Sequence, residues 1–295
     1  MGATASAARE NFSVQNIRAS VLIPTRRRPE YLEVTLRSIV TQAEHQDAEV
    51  IVISDGPDAA TRDLADRYRA RVAELPRASG LNAVRNEAVN VAQGELLVFV
   101  DDDVVASSGW LEAYLRAANE APHHDVFGGP IRARLEGGGP RACGREKPPI
   151  TSLDLGQEDR DVQLVWGANM AIRADAFRRL GGFDESIIGT GDEEEWLRRY
   201  IAEGKRVRYV AGAAIIHRRN AEDAKLMNLA KTAYGRGRAA RRYDKRKHAA
   251  PPIGRELVTL TGCVWHVARR RCALGLVFGA HAAGRLRQAI ADRRA

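Results

Sequence analysis

Residues 96–104 read LLVFVDDDV. Five apolar residues, Leu96 to Val100, run directly into Asp101, Asp102 and Asp103. An apolar run of this length, opened by Gly94 and closed by acids, has the pattern of a strand buried on both faces. Three adjacent carboxylates repel one another unless a cation joins them. Hard divalent ions such as Mg²⁺ or Mn²⁺ take carboxylate oxygens, and Mg²⁺ keeps positions for substrate phosphates. Alternate residues at an extended strand end share a face, so Asp101 and Asp103 can converge on one ion while Asp102 points away. By itself the triplet also fits a solvated acidic loop.

Upstream, Ala19–Pro24 and Glu49–Ser54 read as strands, with a short one at Val72–Leu75. Between them lie helical patterns beginning at Pro29, at Ala59 and at Asn82. Pro29 suits a first helical turn, and Leu32, Leu36, Ile39 and Val40 have helical spacing. Strands and helices alternating in this way predict an α/β fold: a Rossmann-like, mostly parallel sheet with helices on both faces. In such sheets ligands bind beyond the carboxyl ends of the strands. Three ends carry polar residues here: Thr25 with Arg26, Asp55, and Asp101–Asp103.

Downstream, Trp110–Asn119 reads as a helix, Val126–Leu135 contains a strand, and Glu136–Gln157 is a Gly- and Pro-rich loop. Val162–Arg173 reads as strand, turn and strand, followed by a short helix over Ala174–Leu180. A helix opens near Asp192 with four consecutive acids, more than its dipole needs. Val207–Tyr209 and Ala213–His217 are expected to pair as the last two strands. Asp223–Asp244 and Arg255–Arg294 read as helices.

The 295 residues carry a formal charge of +8 with an uneven distribution. From Gly204 onward there are 22 Lys and Arg against 5 Asp and Glu, a surplus of +17, and the rest carries 24 against 33, or −9. An acidic body with a basic tail points to an anionic partner for the tail. The tail lacks the aromatic interleaving of a nucleic-acid binder, so no nucleic acid is expected. Cys143, Cys263 and Cys272 show no metal-ligand spacing and read as structural residues of a reducing compartment. No run reaches the ~20 apolar residues of a membrane span, and residues 1–16 lack a signal-peptide pattern. A cytoplasmic location is expected.

Taken in order, VLIPTRRRP, VISDGPD, GLNAVRNEAVNVAQGELLVFVDDDV, WGANMAIRADAFRRLGGFDE, GTGDEEEWLRR and a strand ending at His217 resemble the inverting nucleotide-sugar glycosyltransferases of family 2, which have the GT-A fold. The resemblance covers roughly residues 19–220. It implies an N-terminal arm over 1–18, a GT-A catalytic domain over 19–220 and a basic helical extension over 221–295. It further implies that Asp101 and Asp103 hold Mn²⁺ or Mg²⁺ against the diphosphate of a nucleotide-sugar donor, with Asp103 as the more direct ligand. His217 matches a metal-completing histidine of some relatives; a surface residue is its other reading. Pro24, Thr25, Arg26, Asp55, Asn82, Arg85 and Asp102 are implied around the donor, and Trp166, Gly167 and Asn169 around its sugar and the acceptor. Ser54 and Pro57 stand where the family usually carries an acid and a serine. The family's catalytic base falls at Glu193 by register on Trp196, with Asp192 as the alternative, since the usual acid pair is reversed here.

The implied reaction is a metal-dependent, inverting transfer, most often from a UDP-sugar, to an acceptor hydroxyl on a glycan, a lipid-linked molecule or a small molecule. A haloacid-dehalogenase-type phosphatase using the DDD strand end, or a non-catalytic binder of anionic ligands, would share some of the pattern. Two apolar runs flank Arg269–Arg271. They read as core helices, or as helices lying in a membrane interface at its inner face.

Overall fold

The computed structural model describes residues 17–144 and 149–293. All but the last two residues of the expected N-terminal arm lie outside the described residues. The first half builds as its pattern predicts: β1 (Ala19–Thr25), α1 (Pro29–Glu44), β2 (Ala48–Ser54), α2 (Ala59–Arg67), β3 (Arg71–Glu74), α3 (Leu81–Val91) and β4 (Leu96–Val100). β1 lies between β2 and β4, parallel to both, with Ala19 opposite Ala48 on one side and Leu96 on the other.

Alternation along β4 decides the layering. Val98 and Val100 pack in one core with Leu32, Leu36 and Ile39 of α1, and with Trp110 and Tyr114 of α4 (Trp110–Glu120). Leu97 and Phe99 pack in the opposite core with Val84 of α3. The second core also takes Phe177 of α5 (Ala174–Leu180) and Trp196 and Tyr200 of α6 (Asp192–Ala202). All five β4 side chains are buried. At ~1.5–3 kcal/mol per fully buried large apolar side chain, this strand end has little freedom to move. Asp101–Asp103 therefore leave the sheet from a fixed point.

The second half departs from its reading in three places, two in the sheets and one in the tail. Val126–Leu135 holds two strands, β6 (Val126–Gly128) and β7 (Ile131–Leu135), after β5 (Val104–Ala106). Further on come β8 (Arg160–Val162), β9 (Asn169–Arg173), β10 (Val207–Tyr209) and β11 (Ile215–Arg219). The main sheet has the order β3-β2-β1-β4-β9-β6-β10-β8, and a small sheet has the order β5-β11-β7. β10 and β11 thus do not pair with each other. β10 runs parallel to β6, and β11 runs parallel to β7. Two chain segments cross side by side from the large sheet to the small one, which alternation along a single segment cannot reveal. His217 falls in the middle of β11, two residues before its end.

The tail forms α7 (Leu226–Arg246), α8 (Ile253–Arg270) and α9 (Leu274–Ala291). Arg271, at φ +50°, breaks the expected single helix into α8 and α9. Leu229 of α7 and Leu274 and Val277 of α9 form a third core against Ala133 and Leu135 of β7. Arg241 and Arg285 neutralise the buried Glu256, at 3.2 and 2.8 Å. Among the described residues no helix is long and apolar enough to cross a membrane.

Candidate active site

The small sheet brings His217 to the end of β4. Its Nε2 lies 3.0 Å from Asp103 Oδ1, and its Nδ1 lies 3.0 Å from the Thr151 carbonyl oxygen. A carbonyl only accepts, so Nδ1 carries a proton. Nε2 faces the carboxylate and also lies 3.2 Å from Arg219 Nη1. Among the described residues the buried Asp103 Oδ1 has no hydrogen-bond partner, and Asp101 completes a group whose ligand atoms all lie within 4.8 Å of one another. Two carboxylates and an imidazole nitrogen converging in a buried site are a donor set that a hard divalent cation can take, so these three residues fit one.

The other oxygens are engaged. Arg28 holds Asp103 Oδ2 and Asp102 Oδ1 at 2.8 Å each, and Arg219 also donates to Asp103 Oδ2. Thr25 donates to Asp102 Oδ2 at 2.6 Å, which ties Asp102 to the end of β1 through the turn that follows β4. Burial opposes ionisation of Asp103, but His217, Arg219 and Arg28 outweigh it and hold the carboxyl well below its usual range. Burial pushes Asp102 up to about 7, with Asp103 adding to the shift against Arg28 and Thr25.

Arg85 links this cluster to the acids of α6. It is 2% exposed, so it is no surface charge. Its guanidinium lies 3.7 Å from Asp101, 2.9 Å from Asp192 and 4.0 Å from Glu193. Gly167 makes room for it: a Cβ there would sit 2.5 Å from Arg85 Nη2. Asp192 is ion-paired, whereas Glu193 is only approached. Burial, then the Asp192 charge, push the Glu193 carboxyl up to about 8 against the pull of Arg85.

A cleft of 260 Å³ opens beyond the strand ends, walled by Pro24, Thr25, Arg26 and Asp55 and floored by Asp101–Asp103. Asp55 accepts from the Ser79 and Gly80 amides at 2.6 and 3.2 Å, which fixes the turn before α3. Trp166 is half-buried against the first core. Two expected donor contacts do other work. Asn169 is wholly buried, donating to the Pro130 and Ala213 carbonyls and accepting from Trp110 and Tyr114. With both amide hydrogens and both lone pairs used, it is a core residue. Asn82 donates to the Asp184 carbonyl at 2.8 Å and so holds the loop before α6.

Arg28, Arg219 and Arg236 also line the cleft, and all three continue into an adjoining cavity of 240 Å³. None was marked by sequence. Arg27, at φ +52°, turns TRRRP so that Arg28 reaches the acids while Arg26 stays largely exposed, 3.9 Å from Asp55. Arg236 arrives from α7, which makes the extension part of the cleft wall.

The sequence model of glycosyl transferase family 2 matches residues 20–181, more than half of the chain. The chain belongs to glycosyl transferase family 2. As in that family, the fold is GT-A. A pre-mycofactocin glycosyltransferase of Mycobacterium tuberculosis (strain CDC 1551 / Oshkosh) is 30% identical over 191 residues, covering 62% of this chain and 39% of that protein. The chain thus spans about two fifths of that relative. Among solved structures, the mannosyltransferase PcManGT from Pyrobaculum calidifontis, in complex with GDP-Man and Mn²⁺, aligns at TM-score 0.57 and 15% identity over 93% of this chain and 73% of that one. GalNAc-T7 with UDP, GalNAc and Mn²⁺ aligns at TM-score 0.57 and 17% identity, over 75% and 48%.

Proposed function

We propose that this chain transfers a sugar from a nucleoside-diphosphate donor to an acceptor hydroxyl, with inversion at the anomeric carbon. The observation that carries the reading is Arg85: one guanidinium spans the cation-competent cluster at Asp101 and the acid pair Asp192–Glu193. Asp101, Asp103 and His217 would hold Mn²⁺ or Mg²⁺, a Lewis acid for the charge that develops on the departing diphosphate. Pro24, Thr25, Arg26 and Asp55 form the wall against which the nucleoside lies. Arg28 and Arg219 exchange carboxylate partners for phosphate oxygens when donor enters, and Arg236 adds a third guanidinium to the same wall, since guanidinium groups suit both anions. Glu193 takes the proton from the acceptor hydroxyl as it attacks. Its carboxyl is raised by burial and only loosely paired, which suits a base, whereas Asp192 is committed to Arg85. The phosphatase reading has less support, because no lysine lines the cleft among the described residues.

The decisive experiment offers UDP-, GDP- and dTDP-sugars with Mn²⁺ or Mg²⁺ and follows thermal stabilisation and nucleotide release. Metal-dependent stabilisation by one donor class, lost in Asp103→Ala, is expected. Equal donor binding with and without chelator would refute the reading.

We propose also that α8 rests on an anionic lipid surface. Leu257, Val258, Val264 and Trp265 are 50, 70, 61 and 69% exposed and fall within roughly 120° of one helix face. Arg269, Arg270 and Arg271 follow at the end of the same helix. The expectation of core helices holds for α9, but the outer face of α8 is uncovered. Flotation with phosphatidylglycerol vesicles, lost on Val264→Ser with Trp265→Ser, is expected. Equal flotation by the double variant would sink the idea.

A further inference from the structure

Far from the cleft, the fold gathers two cysteines and a histidine that sequence spacing keeps apart. Cys143 lies in the loop after β7, His266 on the last turns of α8, and Cys272 in the turn into α9. Their ligand atoms all lie within 4.8 Å of one another. Cys143 Sγ and His266 Nε2 are separated by 123 residues in sequence and by 3.6 Å in space. A tetrahedral ion with bonds of about 2.3 Å to sulfur and about 2.0–2.1 Å to nitrogen holds those atoms about 3.6 Å apart.

We infer that Cys143, His266 and Cys272 bind a soft divalent metal, Zn²⁺ by ligand class, with a water in the fourth position. Two thiolates and an imidazole suit zinc and disfavour Mg²⁺ or Mn²⁺. The chain therefore carries two sites that sort by hardness, the oxygen-rich one at Asp101 and Asp103 being the other. The scaffold around the soft site is firm. Cys272 is 1% exposed and belongs to the third core. The Leu274 amide donates to the Arg141 carbonyl at 3.0 Å, which pins the loop to the α8–α9 turn. Arg271, in the left-handed region, makes the sharp turn that brings Cys272 back toward His266. Gly275 leaves space for the imidazole: a Cβ there would lie 3.0 Å from His266 Cδ2. The ion would bind two deprotonated thiols and clamp the β7 loop onto the tail. That same loop carries Thr151, whose carbonyl orients His217.

The test measures metal content of the full chain purified under reducing conditions, together with Co²⁺ titration of the metal-stripped protein. About one zinc per chain is expected in the wild type and in Asp103→Ala, falling at least about tenfold in Cys143→Ser with Cys272→Ser. Reduced wild-type protein should show a thiolate-to-cobalt charge-transfer band. Cys263→Ser should keep it, and His266→Cys should strengthen it. The wild-type spectrum needs no variant to fold, so absence of that band overturns the inference. So does zinc content unchanged in the double serine variant, or a Cys143–Cys272 disulfide as the resting state of protein isolated without reductant.

Discussion

Asp192→Asn should move the pH–rate profile toward acid, whereas Glu193→Gln should remove turnover. The Glu193 carboxyl stands at about 8. At pH 7 about one tenth of molecules then carry the ionised base, and at pH 6 about one hundredth. The rate with subsaturating acceptor should climb about tenfold per pH unit up to 8 and level off above it. Asparagine keeps the shape of Asp192 and removes its charge, the second cause raising Glu193 after burial. It also releases Arg85, now 2.9 Å from Asp192 and 4.0 Å from Glu193, to lean on the remaining carboxylate. Both changes favour the ionised form. A fall of about one unit, or about 1.4 kcal/mol, gives roughly a fivefold gain at pH 7. The assay is initial nucleoside-diphosphate release between pH 6 and 9 at saturating Mg²⁺. A profile unmoved in Asp192→Asn would refute the electrostatic account. A dead Asp192→Asn beside an active Glu193→Gln would give the base role to Asp192.

Asn169→Ala should lower stability by about 3 kcal/mol or more, because Trp110, Tyr114 and two carbonyls lose a buried partner together; a urea-midpoint change equivalent to under about 1 kcal/mol would contradict this network. His217→Ala should weaken Mn²⁺ binding by about tenfold or more in a calorimetric titration, while leaving the circular dichroism spectrum unchanged. Gly167→Ala must displace the Arg85 guanidinium, so turnover should fall with thermal stability little altered; unchanged turnover would mean that Arg85 does not act in the reaction. Arg236→Ala should raise the donor dissociation constant about tenfold, one charge-assisted contact's worth, and equal affinity would remove α7 from the donor site.

The site was most legible where local pattern and topology agree. LLVFV fixes a doubly buried strand, so the acids after it had to emerge at the sheet edge, while the turn over Asp102 and Asp103 sets where each of them points. Arg85 was marked, though its burial depends on α6 folding over it. Side chains whose direction depends on one backbone torsion were not legible. Arg26 and Arg28 sit in the same TRRRP run, and the left-handed Arg27 decides which of them reaches Asp103. A polar residue in WGAN carries no sign that its amide is consumed by Trp110, Tyr114 and two carbonyls, so the structural part of Asn169 is not legible locally. Arg236, Cys143, His266 and Cys272 meet their neighbours only through tertiary closure of the tail. The crossing of β6–β7 and β10–β11 between sheets was hidden for the same reason, since its pairings join distant segments.

That crossing also sets an order of assembly. Arg219 follows Asp103 by 116 residues, and β11 cannot pair with β5 and β7 before it is made. At about 5–20 residues per second, the acids wait roughly 6–23 s on the ribosome before His217 and Arg219 arrive. Nascent chains therefore pass through an interval in which β4 can be seated while its carboxylates lack their cationic and imidazole neighbours. Pairing of β11 with β5 and β7 is therefore the step that completes the acid cluster.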